Sequence, residues 1–216
     1  MTSRRTPRLD KRLVTDTALR LLNEVGLDGL TLRAIAKELD VQAPALYWHV
    51  KNKQALLDEM ATEMYRRMVA GARPAPDGSW QERLLAANRA LRRSLLGYRD
   101  GAKVFSGSRF TGTDHAVQME EHLRAFLDAG FDLPQAVRAI TTAYLFTLGF
   151  VTEEQGVQPL PGERREGFDV AERAARMADF PLSAAAGAEL FQDYEQGFEE
   201  GLRLVVAGIE ARYRIA

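Results

Sequence analysis

The most distinctive side chains of this sequence lie near its N-terminus, where Tyr47, Trp48 and His49 follow one another directly. They fall in a predicted two-turn helix whose inward side carries Leu46 and Val50. Large side chains with polar tips that point outward from a short helix are suited to contact base edges in a DNA groove. Helical spacing also allows Tyr47 and Trp48 to lie in a hydrophobic core, so both alternatives stay open.

Two further helices are needed to position this segment, and the sequence predicts both. The first runs from about Leu9 to Val25, with Val25 on its buried face, and ends at Gly26. Thr31 caps a short second helix, and a tight connection over residues 40–42 leads to the third. This spacing is typical of a helix-turn-helix, in which one helix enters the major groove while the other two hold it.

The charge distribution agrees with this interpretation. The net charge of the chain is -1, but residues 1–53 carry 10 Lys/Arg against 6 Asp/Glu, whereas the remaining residues carry 19 against 24. Phosphate contacts need Lys and Arg concentrated on one side of a protein. A basic head on an acidic body therefore favours a nucleic-acid-binding segment joined to a body that does not bind nucleic acid.

The rest of the chain also predicts helices, because apolar residues recur every three or four positions and no long alternating run indicates a sheet. A long helix follows Asn52, and a capping box formed by Ser79 and Glu82 starts the next. The expected segments after these are a break at 74–78, one short helical turn within 100–113, a helix closed by Gly130, a helix opened by Pro134 and apolar almost all round over 139–151, a loop over 155–167, and two final helices. The predicted fold class is all-α.

Several classes of protein are excluded or disfavoured by composition and motif. The chain has no cysteine, which removes disulfides, thiolate nucleophiles and Cys-ligated metals. No nucleophile motif, phosphate loop or dinucleotide fingerprint occurs, so we expect neither an enzyme nor a cofactor. His115 and His122 lie about 10.5 Å apart along one helix, too far to share a metal ion easily. No apolar stretch reaches the length of a membrane helix, so we expect a soluble cytoplasmic protein without a membrane partner.

Two stretches of the head closely resemble the DNA-binding domain of the TetR family of bacterial repressors: TLRAIA at 31–36 and PALYWHVKNK at 44–53. The resemblance implies that Tyr47, Trp48 and His49 lie in the recognition helix. It also implies a domain boundary, with a helix-turn-helix domain over 1–53 and a helical effector-binding and dimerisation domain over 54–216.

The same resemblance assigns individual DNA contacts. Arg33 would contact a guanine edge with two hydrogen bonds, and Thr31 and Lys53 would bind phosphate. Pro44 and Tyr47 would supply apolar and backbone contacts. The chain departs from the tetracycline-repressor branch at two positions, where Ala43 replaces a base-reading Gln and Ala45 replaces a Thr, so the operator sequence is expected to differ.

The body resembles the tetracycline-repressor branch through YRDGAKV at 98–104, FTLG at 146–149 and SWQ at 79–81. Phe105 stands where that branch has a metal-ligating His, and a phenyl ring cannot ligate Mg²⁺. We therefore expect a mainly apolar effector pocket without metal. The positions that correspond to the pocket, or that line it, are Val69, Ala87, Leu91, Phe105, Arg109, His122, Tyr144, Thr147 and Glu153. Arg109 and Glu153 are also open to a simpler interpretation as solvated charges, and His122 to one as a surface or core histidine.

The resemblance implies a homodimeric repressor that a small apolar ligand releases from a palindromic operator. The predicted dimer interface combines the helix at 134–153 with a stripe of Leu202, Val206 and Ile209 on the last helix. An alternative from a different class is a constitutive or architectural DNA-binding dimer whose body only dimerises. A cavity in the body favours the first alternative, and a filled core favours the second.

Overall fold

A computed structural model describes residues 9–71 and 78–215, and these residues form helices without any strand, which confirms the all-α class. None of the helices within those ranges is long and apolar enough to cross a membrane. In chain order the helices are α1 (Lys11–Gly29), α2 (Leu32–Glu38), α3 (Ala43–Leu46), α4 (Lys53–Gly71), α5 (Trp80–Leu96), α6 (Gly101–Phe105), α7 (Asp114–Asp128), α8 (Leu133–Val157), α9 (Val170–Arg176), α10 (Pro181–Phe191) and α11 (Tyr194–Tyr213).

The first three helices form the predicted head around a small apolar core. The Thr31 hydroxyl accepts a hydrogen bond from the Ala34 amide at 3.1 Å, which confirms the cap of α2. The expected end of the first helical segment at Gly26 is confirmed, because its backbone is non-helical (φ +69°, ψ 176°); α1 resumes beyond this kink as a short second segment that ends at Gly29. Val25 was expected on the buried face, but it is 47% exposed and its side chain lies against Gly29.

The third helix is shorter than predicted. Only Ala43–Leu46 is α-helical, and residues 47–49 form a turn in which the amides of His49 and Val50 both donate to the Leu46 carbonyl. The helix ends early because the next one begins almost at once. The Asn52 side chain accepts from the amide of Ala55 at 2.8 Å and starts α4.

Helix α4 joins the head to the body and packs against α1 on one side and α5 and α6 on the other. One apolar cluster extends from Val14 in α1 through Met60 in α4 to Leu91 and Val151 in the body. The core is therefore continuous across Lys53, and the division of the chain at that residue stays a prediction.

The body is built on α5, α8 and α11, with α6 and α7 packed against them. The capping box of Ser79 and Glu82 is confirmed, as is the short helix within 100–113; residues 74–77 of the predicted break lie outside the described ranges. Phe146 of α8 crosses Gly201 of α11 so closely that a Cβ atom there would stand 2.6 Å from its ring. A side chain at residue 201 would therefore force the Phe146 ring to shift.

Two expectations for the C-terminal half are wrong. Helix α8 runs past residue 155 to Val157, because Gln155 is buried and hydrogen-bonded: it donates to the Leu95 and Tyr98 carbonyls and accepts from the Ala102 amide. Three helices follow α8 instead of two, since residues 170–191 form the separate pair α9 and α10.

The interface stripe predicted on the last helix is also wrong. Leu202, Val206 and Ile209 are at most 7% exposed because they pack into the core of their own chain. The apolar residue that α11 leaves outside is Leu204, at 74% exposure. Helix α8 likewise is not buried all round within the chain, since Leu145 is 58% exposed.

Candidate functional site

The candidate DNA-reading surface lies on the third helix and the turn that follows it. Leu46 and Val50 are buried in the head, whereas Tyr47 is 53% and Trp48 89% exposed. An indole that stays in water forgoes the favourable free energy that burial of its large apolar surface would provide. The alternative in which both rings belong to the core is thereby removed, and Trp48 is presented to solvent with its surface uncovered.

The other residues predicted to contact DNA differ in their exposure. Arg33 and Pro44 are exposed, and Ala43, Ala45 and His49 are half-buried. Their roles remain predictions. The Lys53 ammonium group is exposed but donates a 3.0 Å hydrogen bond to the Leu27 carbonyl, so a phosphate would have to share or replace that contact.

The head is hydrogen-bonded to the body through the segment that precedes α6. Asp100, at φ +56°, accepts from the Leu27 amide at 3.0 Å, and the Asn23 side chain accepts from the Arg99 amide at 2.8 Å. Burial opposes ionisation of the Asp100 carboxyl, but hydrogen bonds from Lys103 and the Leu27 amide outweigh it and lower the pKa of Asp100. A charged Asp100 therefore holds the end of α1 against the start of α6.

Neighbouring arginines of α4 link it to both parts of the molecule. Arg67 pairs with Asp16 of α1 and with Glu63 of its own helix, while Arg66 pairs with Asp114 at the start of α7 at 2.7 Å. These side chains border a cleft of about 500 Å³ between α1 and α4, whose lining is mostly charged. Its charged lining makes it unlike the apolar effector site that the sequence predicts.

The residues predicted to form the effector pocket separate into buried and exposed groups. Leu91 and Phe105 are buried in the main apolar cluster, with Tyr144 half-buried against it. The Thr147 hydroxyl is fully buried and donates to the side-chain amide oxygen (Oδ1) of Asn88 at 2.8 Å, so a partner within the chain already satisfies it. Val69, Ala87 and His122 are half-buried, and Arg109 and Glu153 are exposed.

His122 lies on the inner side of α7. Burial lowers the pKa of its imidazole, and the nearby Arg83 acts in the same direction against the opposing effect of Glu121. The side chain is therefore biased toward the neutral form, in which one ring nitrogen donates and the other accepts a hydrogen bond.

The sequence reasoning missed a cluster of four aromatic rings, of which Phe105 is one. Phe110 lies at its centre, with ring centroids 4.9 Å from Tyr65, 5.5 Å from Phe105 and 5.0 Å from His115. The sequence considerations had treated His115 only as a possible metal ligand. The signal that could have revealed the cluster is the aromatic pair at 105 and 110 on either side of a Gly/Ser-rich segment.

A second missed feature is a charged group inside the body. Arg92 is 6% and Glu154 4% exposed, and the two form a pair of hydrogen bonds at 3.0 and 2.8 Å. The guanidinium also pairs with Glu195 and lies 5.0 Å from the Phe198 ring. This network joins α5, α8 and α11, so its function is structural.

Comparisons with known proteins agree with this architecture. The family model of "Bacterial regulatory proteins, tetR family" matches residues 14–60, and that of "Tetracyclin repressor-like, C-terminal domain" matches residues 73–213. A curated relative, the class A tetracycline repressor protein from transposon 1721 of Escherichia coli, is 39% identical over 95% of this chain and 92% of its own length.

Solved structures give the same result. A possible TetR family transcriptional regulator from Streptomyces coelicolor A3(2) superimposes with a TM-score of 0.80 at 38% identity, covering 94% of this chain and all of that one. The class A TetR in complex with 5a,6-anhydrotetracycline and magnesium gives a TM-score of 0.66 at 33% identity, covering 94% and 99%. These relatives are transcriptional regulators.

Proposed function

Because the chain belongs to the TetR family of bacterial regulatory proteins, we propose that it is a transcriptional repressor released from its operator by a mainly apolar ligand that binds without magnesium. The observation that carries the DNA-binding part is Trp48, a large aromatic side chain that is 89% exposed in the turn directly after α3, within the segment expected to read bases. We assign it no catalytic activity and place it in the cytoplasm, where its DNA partner is.

The head supplies the proposed base and phosphate contacts. Arg33 is exposed on α2, and its planar guanidinium is suited to a guanine edge. Ala43 and Ala45 present only methyl groups, which offer apolar contact to a thymine methyl but no hydrogen bond. The preferred operator should therefore differ from those read by repressors with polar residues at these positions.

We propose that two chains pair through the outer faces of α8 and α11. Val137 and Leu145 are 45% and 58% exposed, and Leu204 is 74% exposed. Gly149 and Gly208 lie on the same faces, and among the described residues no atom beyond their chain neighbours and their own helical backbone stands within 4 Å of where their Cβ would be. A twofold dimer presents two heads to a palindromic site, with recognition helices about 34–36 Å apart or slightly more.

The proposed ligand preference follows from Phe105. Its ring is 5% exposed within an apolar cluster, at the position where the resemblance expects a metal ligand. Burying a charged metal chelate against such a surface leaves polar groups unpaired, at a cost of several kcal/mol. An apolar ligand instead gains about 25 cal/mol for each Å² that it buries there.

Release requires that the ligand favour one conformation over the other, because a ligand with equal affinity for both shifts nothing. Helix α4 is the proposed lever, since Arg66 ties it to α7 and Arg67 ties it to α1. The adjoining contact of Asp100 with Leu27 would move together with α6.

The packed rings around Phe110 favour a second candidate, a constitutive DNA-binding dimer without a ligand. Selection from random-sequence DNA identifies the operator, and a thermal-shift screen of apolar polycyclic compounds then separates the two candidates. The proposal expects a palindromic operator and at least one compound that both stabilises the protein and weakens operator binding. A stable DNA complex that no stabilising compound weakens supports the constitutive candidate instead.

A further inference from the structure

The cluster around Phe110 contains a buried polar atom that the packing does not explain. Among the described residues, the His115 Nδ1 atom is buried and has no hydrogen-bond partner. Its ring lies 5.0 Å from that of Phe110. A buried nitrogen without a partner is unfavourable, and native structures usually give such an atom a protein, water or ligand partner.

The backbone on both sides of Phe110 is fixed. The Arg109 amide donates to the Asp58 carboxylate at 3.0 Å, and the Thr111 amide donates to the Thr62 hydroxyl at 2.9 Å. Both acceptors belong to α4. The Phe110 side chain is half-buried, in contrast to the nearly fully buried Phe105, so a rotation about its side-chain bonds moves its ring without moving the chain.

We propose that Phe110 occupies the effector site and that the effector is an aromatic alcohol. Its rings replace the Phe110 ring between Tyr65 and Phe105, and its hydroxyl makes a hydrogen bond with His115 Nδ1. This inference rests on the proposed function and names the ligand class of that same site. It also gives His115 a role as the residue that selects for a hydroxyl on an otherwise apolar ligand.

The position of this site explains how ligand binding affects the head. Tyr65 and the two acceptors Asp58 and Thr62 all lie on α4, so a ligand that replaces the Phe110 ring presses on the helix that begins at the head. Arg67, two residues after Tyr65, pairs with Asp16 of α1. Ligand binding and head position are thereby coupled through one helix.

The test uses two probes of similar shape, 2-naphthol and 2-methylnaphthalene, titrated by calorimetry into the full chain. We expect wild type to bind 2-naphthol about tenfold more tightly, as one added hydrogen bond allows. His115→Phe should remove this preference, and His115→Asn, which keeps a polar atom near the Nδ1 position, should retain part of it. Phe110→Ala should strengthen binding of both probes, because the competing ring is gone.

A spectroscopic readout keeps the test independent of folding differences between variants. The chain has three histidines, so the imidazole ¹⁵N spectrum of the wild type is simple to assign. 2-Naphthol should shift the Nδ1 resonance of His115, and 2-methylnaphthalene should shift it much less. Equal affinity for the two probes, no binding of either, or a preference that survives His115→Phe would overturn the inference.

The outcomes also separate this inference from the proposed function. If another apolar compound releases the operator equally well from wild type and His115→Phe, the repressor function stands and the role of His115 is refuted. If 2-naphthol binds in a His115-dependent manner but leaves operator affinity unchanged, the site stands and ligand-controlled repression at this site is refuted.

Discussion

The head and the body treat their large or polar side chains in opposite ways. The head leaves Trp48 89% exposed, although burying the ring would be favourable. The body buries Arg92 and Glu154, although removing charges from water is costly. The exposed ring is available to a partner outside the chain, whereas the buried charges are satisfied by one another.

This difference separates binding from stability. Side chains on the reading surface should matter for DNA and little for folding, because they touch few neighbours. The buried network of the body should matter for folding and affect DNA only through loss of the folded protein.

The largest expected effect is on the buried pair. Arg92→Met leaves Glu154 buried without its partner, and removing one member of such a pair typically costs about 3–5 kcal/mol. Urea unfolding followed by circular dichroism measures the loss. Arg124→Ala is the matched control, because its pair with Glu120 is more than 65% exposed on both sides and should contribute less than about 1 kcal/mol. Equal losses in both variants would contradict the comparison.

The next effect concerns the reading surface. Arg33→Ala should weaken operator binding by about 1–3 kcal/mol and relax specificity at one base, and Tyr47→Ala should weaken binding as well. Fluorescence anisotropy with the selected operator measures both. Arg176→Ala, which removes an exposed arginine of α9, controls for the loss of charge. The free energy of unfolding should stay within about 0.5 kcal/mol of wild type in all three variants. Unchanged operator affinity in Arg33→Ala and Tyr47→Ala would show that another surface reads DNA.

A smaller effect is expected for Lys53. If its ammonium group contacts phosphate, Lys53→Ala should lower affinity evenly across DNA sequences and reduce the slope of log affinity against log salt by about 1. Titrations at four salt concentrations give the slope. A loss confined to one operator base, or an unchanged slope, would exclude a phosphate contact.

The smallest effect is the pH dependence of stability that His122 produces. Burial lowers its pKa in the folded state below the ordinary value, so the unfolded state binds more protons as the pH falls through that range. The free energy of unfolding should therefore rise between about pH 5 and pH 7 and level off above. His122→Leu should flatten this rise in urea titrations. A steeper or unchanged dependence in the variant would assign the effect to other groups.

Local signals were enough to predict much of the fold. The caps at Thr31 and Ser79 depend on residues three positions apart, and the short helix within 100–113 follows from local composition. Periodicity also placed Leu46 and Val50 on the inward side, and both are buried. It left the positions of Tyr47 and Trp48 open, and the structure shows both rings exposed.

Features that depend on distant parts of the chain were not predicted. Gln155 was assigned to a loop because it opens a segment rich in Pro, Gly and charged residues, whereas its partners Tyr98 and Ala102 lie more than 50 residues earlier in the chain. Leu202 was assigned to a dimer interface because a helical stripe does not reveal which neighbour it faces. The Phe110 cluster was missed for the same reason, since its four rings come from four separate elements.

The most direct test of ligand release without magnesium is a tetracycline titration of the operator complex, with and without added magnesium. The class A TetR, whose structure has been solved in complex with 5a,6-anhydrotetracycline and magnesium, is the positive control. Since Phe105 offers no ligand to the metal, the account predicts that magnesium changes neither tetracycline binding nor operator affinity for this chain. Tight, magnesium-dependent binding that releases the operator would contradict it.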